Sequence, residues 1–317
     1  MHALIENGAS AVARLALILV LCLVPSWAFA GYMITVFNYP GASNTAGRAI
    51  NAAGIIVGSG DANGFAYDPA ANAFTVTNFP SSIETVPGGI NAVGAIAGSY
   101  SDGANIHGFQ YSGSVFTTRD VPGAAITEFR GINAADLMSG SFTNDLTTYH
   151  GVVYDSGINA FTVFDYPGAS STHGRGLNDA GWVAGYYGDA TGNHGLIYDY
   201  TNHVFIGGID VPGAAVTEYL GINSLDQIVG FYSDGTQNHG VLFDFNANLY
   251  TTIDVPGAIE TVVEGVNNSG EIVGFFVDAN ENSHGFFATP TVPEPATLAL
   301  FGIGLAGLGF LRRRVVT

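Results

Sequence analysis

TEYLGINSLDQIVGFYSDGTQNHGVLFDFNANLYTTIDVPG, residues Thr217 to Gly257, is restated whole or in part about every 44 residues between Tyr32 and Ala288. A period of that length marks repeated supersecondary units, each of which must lean on its neighbours to bury its apolar face. Alignment on the apolar-Asn step places Asn51, Asn91, Asn133, Asn178, Asn223 and Asn267 in one column. Six residues earlier stand Thr45, Thr85, Thr127, Thr172, Thr217 and Thr261; seven residues later stand Gly58, Gly98, Gly140, Gly185, Gly230 and Gly274. A Pro-Gly step closes each unit from Pro40-Gly41 to Pro256-Gly257, with Pro80-Ser81 the exception.

Within a unit, alternation and turn residues predict four short strands. In the quoted copy these are TEYLGIN, QIVGFYSD, HGVLFDF and LYTTIDVP. The first hairpin turns at Asn-x-x-Gly or Asn-x-x-Asp, where the Asn side chain can bond its own backbone and the last residue tolerates a left-handed conformation. Pro-Gly suits an exit turn with positive φ at Gly. One four-stranded meander cannot cover both its faces, whereas a stack of them can. The N-terminal fragment GYMITVFNYPG (31 to 41) matches the end of a unit, and the last copy stops where that end should follow. A unit split between the two ends of a repeat array is what a closed ring needs, since an open array needs polar caps instead. The expected fold is therefore all-β: a six-bladed β-propeller of four-stranded antiparallel blades, residues 31–290, its sixth blade closed by the strand at 32 to 39.

The chain is 47% hydrophobic with 21 Phe, 15 Tyr and 2 Trp, enough for a large core. It has no Lys. Residues 31–290 hold 24 acids against Arg48, Arg119, Arg130 and Arg175, a net charge of about −20 that repels phosphate backbones and argues against a nucleic-acid partner. Residues 1–30 read as a signal peptide, with Arg14 before LALILVLCLVPSW and Ala28-Phe29-Ala30 as the cleavage site. Cys22, the only cysteine, lies inside it, so the exported body has no disulfide, thiolate nucleophile or cysteine metal ligand. At the other end Pro293-Glu294-Pro295 is followed by ATLALFGIGLAGLGFL and by Arg312, Arg313 and Arg314. The apolar run predicts a short transmembrane helix with its basic end in the cytoplasm.

That tail, 291–317, resembles the PEP-CTERM sorting signal of Gram-negative bacteria: a Pro-Glu-Pro motif, a hydrophobic helix and a terminal basic cluster, in that order. The resemblance implies transient anchoring in the inner membrane, processing by an exosortase near Pro293 to Pro295, and delivery to the cell surface or the exopolysaccharide matrix of a biofilm. The repeats resemble the extracellular HAF-type repeats, with His-Gly-Phe or His-Gly-aliphatic in place of His-Ala-Phe. This implies an exterior location and no particular chemistry.

Three groups of residues are candidates for function. His107, His150, His194, His239 and His284 recur at the start of the third strand, where a ring of imidazoles can bind metal or sense pH. Repetition in five units favours instead a structural histidine paired with the Asp before the exit turn (Asp120, Asp165, Asp210, Asp254); Asn63 and Asn78 replace the pair in the first unit and Asn38 faces His284 in the last. Asp278, Asn280 and Asn282 begin like a calcium loop, but the Gly and terminal Glu that such a loop requires are absent, and the same residues serve local turns. The third group breaks the repeat. Three residues before each Asn stand Arg48, Gly88, Arg130, Arg175, Leu220 and Glu264, and two residues before those stand Ala46, Val86, Glu128, His173, Glu218 and Val262. Arg48, Arg130, Arg175, Glu128, Glu218, Glu264 and His173 would line the channel mouth as a pocket for a saccharide or anionic ligand, or pair as ordinary inter-blade ions.

No nucleophile elbow, HExxH, phosphate-binding Gly-rich loop or cysteine-based site is present. The expected function is thus a non-enzymatic surface or matrix protein without cofactor, bound to exopolysaccharide or other surface proteins. The alternative is a secreted polysaccharide hydrolase or lyase using mouth carboxylates such as Glu128 and Glu218.

Overall fold

The computed structural model describes residues 28–29 and 31–291. Among them are 25 strands and no helix. The expected signal peptide (apart from Ala28–Phe29), the Pro-Glu-Pro motif, the hydrophobic helix and the arginine cluster lie outside the described residues.

The strands form a β-propeller arrangement of four-stranded antiparallel blades. The first repeat is the sheet β3 (Thr45–Ile50), β4 (Ile56–Gly60), β5 (Asn63–Asp68), β6 (Ala73–Val76). The fourth runs from β15 (Ser171–Leu177) to β18 (Val204–Gly208) and the fifth from β19 (Val216–Ile222) to β22 (Leu249–Ile253). In the last repeat, β23 (Glu260–Val266), β24 (Ile272–Val277) and β25 (Ser283–Pro290) are completed by β2 (Tyr32–Phe37), which pairs antiparallel along β25 from Tyr32–Pro290 to Phe37–Gly285. The two-residue β1 (Ala28–Phe29) adds an outer edge to that sheet.

One expectation is corrected here. Four repeats stand as separate blades, not six, because the second and third share a single eight-stranded sheet. Its halves are β7 (Glu84–Ile90), β8 (Ile96–Ser101), β9 (Ile106–Ser112) and β10 (Val115–Thr118), and then β11 (Ile126–Ile132), β12 (Leu137–Thr143), β13 (His150–Asp155) and β14 (Ala160–Phe164). They are joined where Ile106 meets Ile126 in a parallel bridge, with the Ile106 amide donating to the Ala125 carbonyl at 3.4 Å. The physical reason is local: this one backbone bridge is enough to carry the ladder across the seam between two otherwise complete four-stranded units.

Each sequence column has a bonding role. The Asn side chain faces two ways: its oxygen accepts the amides two and four residues on, as Asn133 does from Ala135 and Leu137, closing the first hairpin. Its amide donates to the backbone carbonyl of the next repeat's Asn, at 3.3, 3.1, 3.2, 3.3 and 2.9 Å from Asn51 onward, and Asn267 returns to Asn51 at 3.0 Å. These six buried asparagines form a closed circuit. Each Thr hydroxyl accepts the amide of the residue before the exit Pro, from Thr45 and Tyr39 to Thr261 and Val255. Between blades the core is apolar and aromatic. At the seam of the last and first repeats, Phe37 packs with Ile50, Ile56, Phe65, Tyr67 and Val273.

The glycine column follows from a bulge. Every first strand shifts register at the same place: Gly47/Ala49, Pro87/Gly89, Phe129/Gly131, Gly174/Leu177, Tyr219/Gly221 and Val263/Gly265. The bulged strand bows onto the facing Gly of the second strand, so a β-carbon at Gly140 would overlap the Glu128 carbonyl.

Candidate binding site at the channel mouth

The residue left unpaired by each bulge is the variable one: Arg48, Gly88, Arg130, Leu220 and Glu264, with Arg175 in the wider irregularity of β15. A bulge re-aims its side chain. Here Arg48, Arg130, Leu220 and Glu264 line a narrow axial space to which every first strand contributes. Just beyond, backbone approaches backbone: a β-carbon at Gly131 would lie 2.6 Å from the Arg175 carbonyl oxygen, and at Gly221 2.7 Å from that of Glu264. The axis is pinched there, and the charged residues sit on one side of the pinch.

Of the seven predicted mouth residues, Arg48, Arg130 and Glu264 line the axial space and Glu128 joins Arg48 and Arg130 at an adjoining cleft, whereas Arg175, Glu218 and His173 line neither. Arg48 is ion-paired with Glu264 across the seam of the first and last repeats, and its guanidinium lies 5.8 Å from the Phe275 ring centroid. Arg130 reaches Glu128 on its own strand at 3.3 Å. Arg175 donates to the Tyr186 hydroxyl (3.0 Å) and lies over that ring. Glu218 accepts from the Asn193 side chain at 2.7 Å, and His173 is stacked between Tyr149 and Tyr186. The inter-blade ion pair is therefore present, yet the Nε atoms of Arg48, Arg130 and Arg175 are all buried with no hydrogen-bond partner.

The electrostatics divide the acids. Burial pushes the Glu128 carboxyl up, but Arg130 and Arg175 outweigh it and hold the group below its ordinary value. Glu218 moves the other way, raised by burial and by Glu264 despite Asn193 and Arg175. Burial and then Arg175 drive His173 down to about 3, so its imidazole is neutral.

A further asymmetry was not anticipated. The residue after each column glycine pairs across the strands with the one two before the bulge, and it reads Ser59, Ser99, Ser141, Tyr186, Phe231, Phe275. On the aromatic half, Tyr186, Leu220 and Val262 are buried together with Phe231 and Phe275 against them. On the serine half a cleft opens above the second repeat between Arg48 and Arg130. The signal was available in the sequence as a second varying column beside an invariant glycine.

The other candidates have structural partners. The Nδ1 atoms of His107, His150, His194 and His239 bond to Asp120, Asp165, Asp210 and Asp254 at 2.7–3.0 Å, and that of His284 to Asn38 at 2.9 Å. Asn78 donates to Asn63 at 2.9 Å in the first repeat. Asp278 accepts the amides of Asn280 and Asn282 and bonds His284 Nε2 at 3.1 Å, so its oxygens close the turn. Among the described residues no group of three or more His, Cys, Asp or Glu is placed to hold a metal.

Residues 291–314 match the PEP-CTERM protein-sorting motif. The motif implies export and processing by an exosortase. No curated protein matches the chain. Solved structures with a similar fold include TolB from Acinetobacter baumannii, at 14% identity and TM-score 0.55, covering 72% of this chain and 64% of that one. The chain thus spans under two thirds of that protein's length. A putative TolB from Agrobacterium tumefaciens has 10% identity and TM-score 0.60 over 83% of this chain and 99% of its own. A gluconolactonase from Xanthomonas campestris has 11% identity and TM-score 0.55 over 81% and 89%. At such identities the likeness is one of fold, and that fold occurs in enzymes and non-enzymes alike.

Proposed function

We propose that this is an exported surface or matrix protein of a Gram-negative cell, whose six repeats close into one ring and whose channel mouth binds a saccharide or anionic ligand without turning it over. The signal peptide expected at residues 1–30 and the resemblance to HAF-type extracellular repeats support the exterior location, and the sorting tail supports an exosortase as the processing partner. The observation that carries the reading is the bulge column. The repeats agree at Asn, Thr and Gly, yet place three of the body's four arginines in this one column, two of them, Arg48 and Arg130, lining the axial space.

A second reading, a polysaccharide hydrolase or lyase, draws on the opposite directions in which Glu128 and Glu218 are shifted, since acid–base chemistry uses two carboxyls whose surroundings push them apart. Both readings are tested by a glycan-array screen with wild type and with Arg130→Gln plus Arg175→Gln, followed by product assay on each hit. Binding that weakens in the variant, with no new reducing ends or unsaturated sugars, supports the first reading. Turnover establishes the second, and binding unaffected by the substitutions removes the mouth from both.

A further inference from the structure

We infer that the ligand's anchor is a sugar carboxylate, of the uronic-acid kind, held in the cleft above the second repeat between Arg48 and Arg130. This rests on the mouth being a ligand site, as proposed above, and narrows both its place and its chemistry.

The place follows from what the second repeat omits. It offers Gly88 at the bulge and Val86 two residues before, while its neighbours offer Arg48 and the pair Glu128 and Arg130. With Ser99 rather than an aromatic ring opposite Val86, nothing fills the volume that Phe231, Phe275 and Tyr186 occupy across the ring. The resulting cleft is lined by Arg48, Arg130, Glu84, Glu128, Ser99 and Ser101, among others.

The chemistry follows from unused donors and acceptors. Arg48 bonds Glu264 and Arg130 bonds Glu128, each through one terminal nitrogen, leaving the buried Nε of each without a partner. A planar carboxylate matches the fork of a guanidinium. Glu84 and Glu128 beside it are acceptors suited to sugar hydroxyls, and the serines both donate and accept. The same two acids, in a body of net charge about −20, oppose a doubly charged phosphate. One carboxylate flanked by hydroxyls satisfies all of these groups together.

The test uses the full-length chain in mild detergent, titrated with short oligomers of glucuronic or galacturonic acid, with glucose oligomers of equal length and with their sulfated forms. Arg48→Gln and Arg130→Gln should each weaken uronate binding about tenfold or more. Ser101→Trp, which obstructs the cleft while leaving both ion pairs intact, should do the same, so that loss of folding in an arginine variant does not decide the matter. Arg119→Gln, the one body arginine that lines neither the axial space nor the cleft, should stay within about threefold. Glucose or sulfated oligomers binding as well as the uronates overturns the carboxylate assignment while leaving a saccharide-binding mouth standing. A severe effect of Arg119→Gln with none from Ser101→Trp overturns the location. No binding to any oligomer sinks this inference and the binding function with it.

Discussion

Ser81 takes the left-handed position of its exit turn at φ 65°, where the other five repeats have glycine at 82–83°. A side chain there costs about 1–2 kcal/mol, and glycine returns about 0.5–1 kcal/mol of that through the freedom of the unfolded chain. Ser81→Gly should therefore stabilise the protein by about 0.5 kcal/mol, read as a rise in the denaturation midpoint. Gly140→Ala has the opposite sign and a larger size. Its β-carbon meets the Glu128 carbonyl, which belongs to the bulge and has no side-chain freedom to yield. A loss of about 3 kcal/mol or more is expected by chemical denaturation; a loss under 1 kcal/mol would mean the bulge is not rigid. The glycine column was legible as invariant, but its reason was not: a bulge is two residues facing one, a property of two strands in register.

At the scale of the element, the histidine clamps predict a pH dependence. Hydrogen bonds to Asp120 and Asp102 overcome burial to raise His107, the bond to Asp210 raises His194, and Asp254 outweighs burial at His239. A raised histidine contributes stability that is whole below its unfolded value of about 6.5 and is lost as pH rises through the folded value. The loop acids act at the other end. Backbone amides, helped by the facing histidine, hold Asp102 and Asp278 down to about 2, so their contribution is whole above about 3.8 and lost as pH falls toward 2. The thermal midpoint should be highest between about pH 4 and 6.5 and decline toward pH 8. Replacing His194 and Asp210 together by Asn copies the Asn63–Asn78 pair of the first repeat. That double variant should keep its hydrogen bond and show a shallower decline; an unchanged slope would place the titration elsewhere.

For the whole molecule, closure is the property that matters. The last and first repeats are joined by Asn267 to Asn51, by Arg48 to Glu264, and by β2 pairing with β25. Phe37 on β2 stacks on Tyr67 at 4.9 Å and meets Phe65 edge-on, so it ties the last sheet to the first repeat's core. Phe37→Ala should cost about 3–5 kcal/mol. Deleting Tyr32 to Tyr39 should lower the thermal transition sharply, and an unchanged transition would disprove closure by this strand.

The repeat period, the four-stranded units, the split last unit and the invariant columns could all be read along the chain, because local patterning and turn chemistry write them in consecutive residues. Even the pairing of His with the Asp before the exit turn was visible, since Asn63 and Asn78 change together. Three things required the assembled ring. The asparagines' hydrogen bonds run between repeats and have no meaning within one. The joining of the second and third repeats hangs on a single bridge at Ile106 and Ile126. The mouth's division into a serine half and an aromatic half arises only when second strands register against bulged first strands, which brings residues from six distant stretches around one axis.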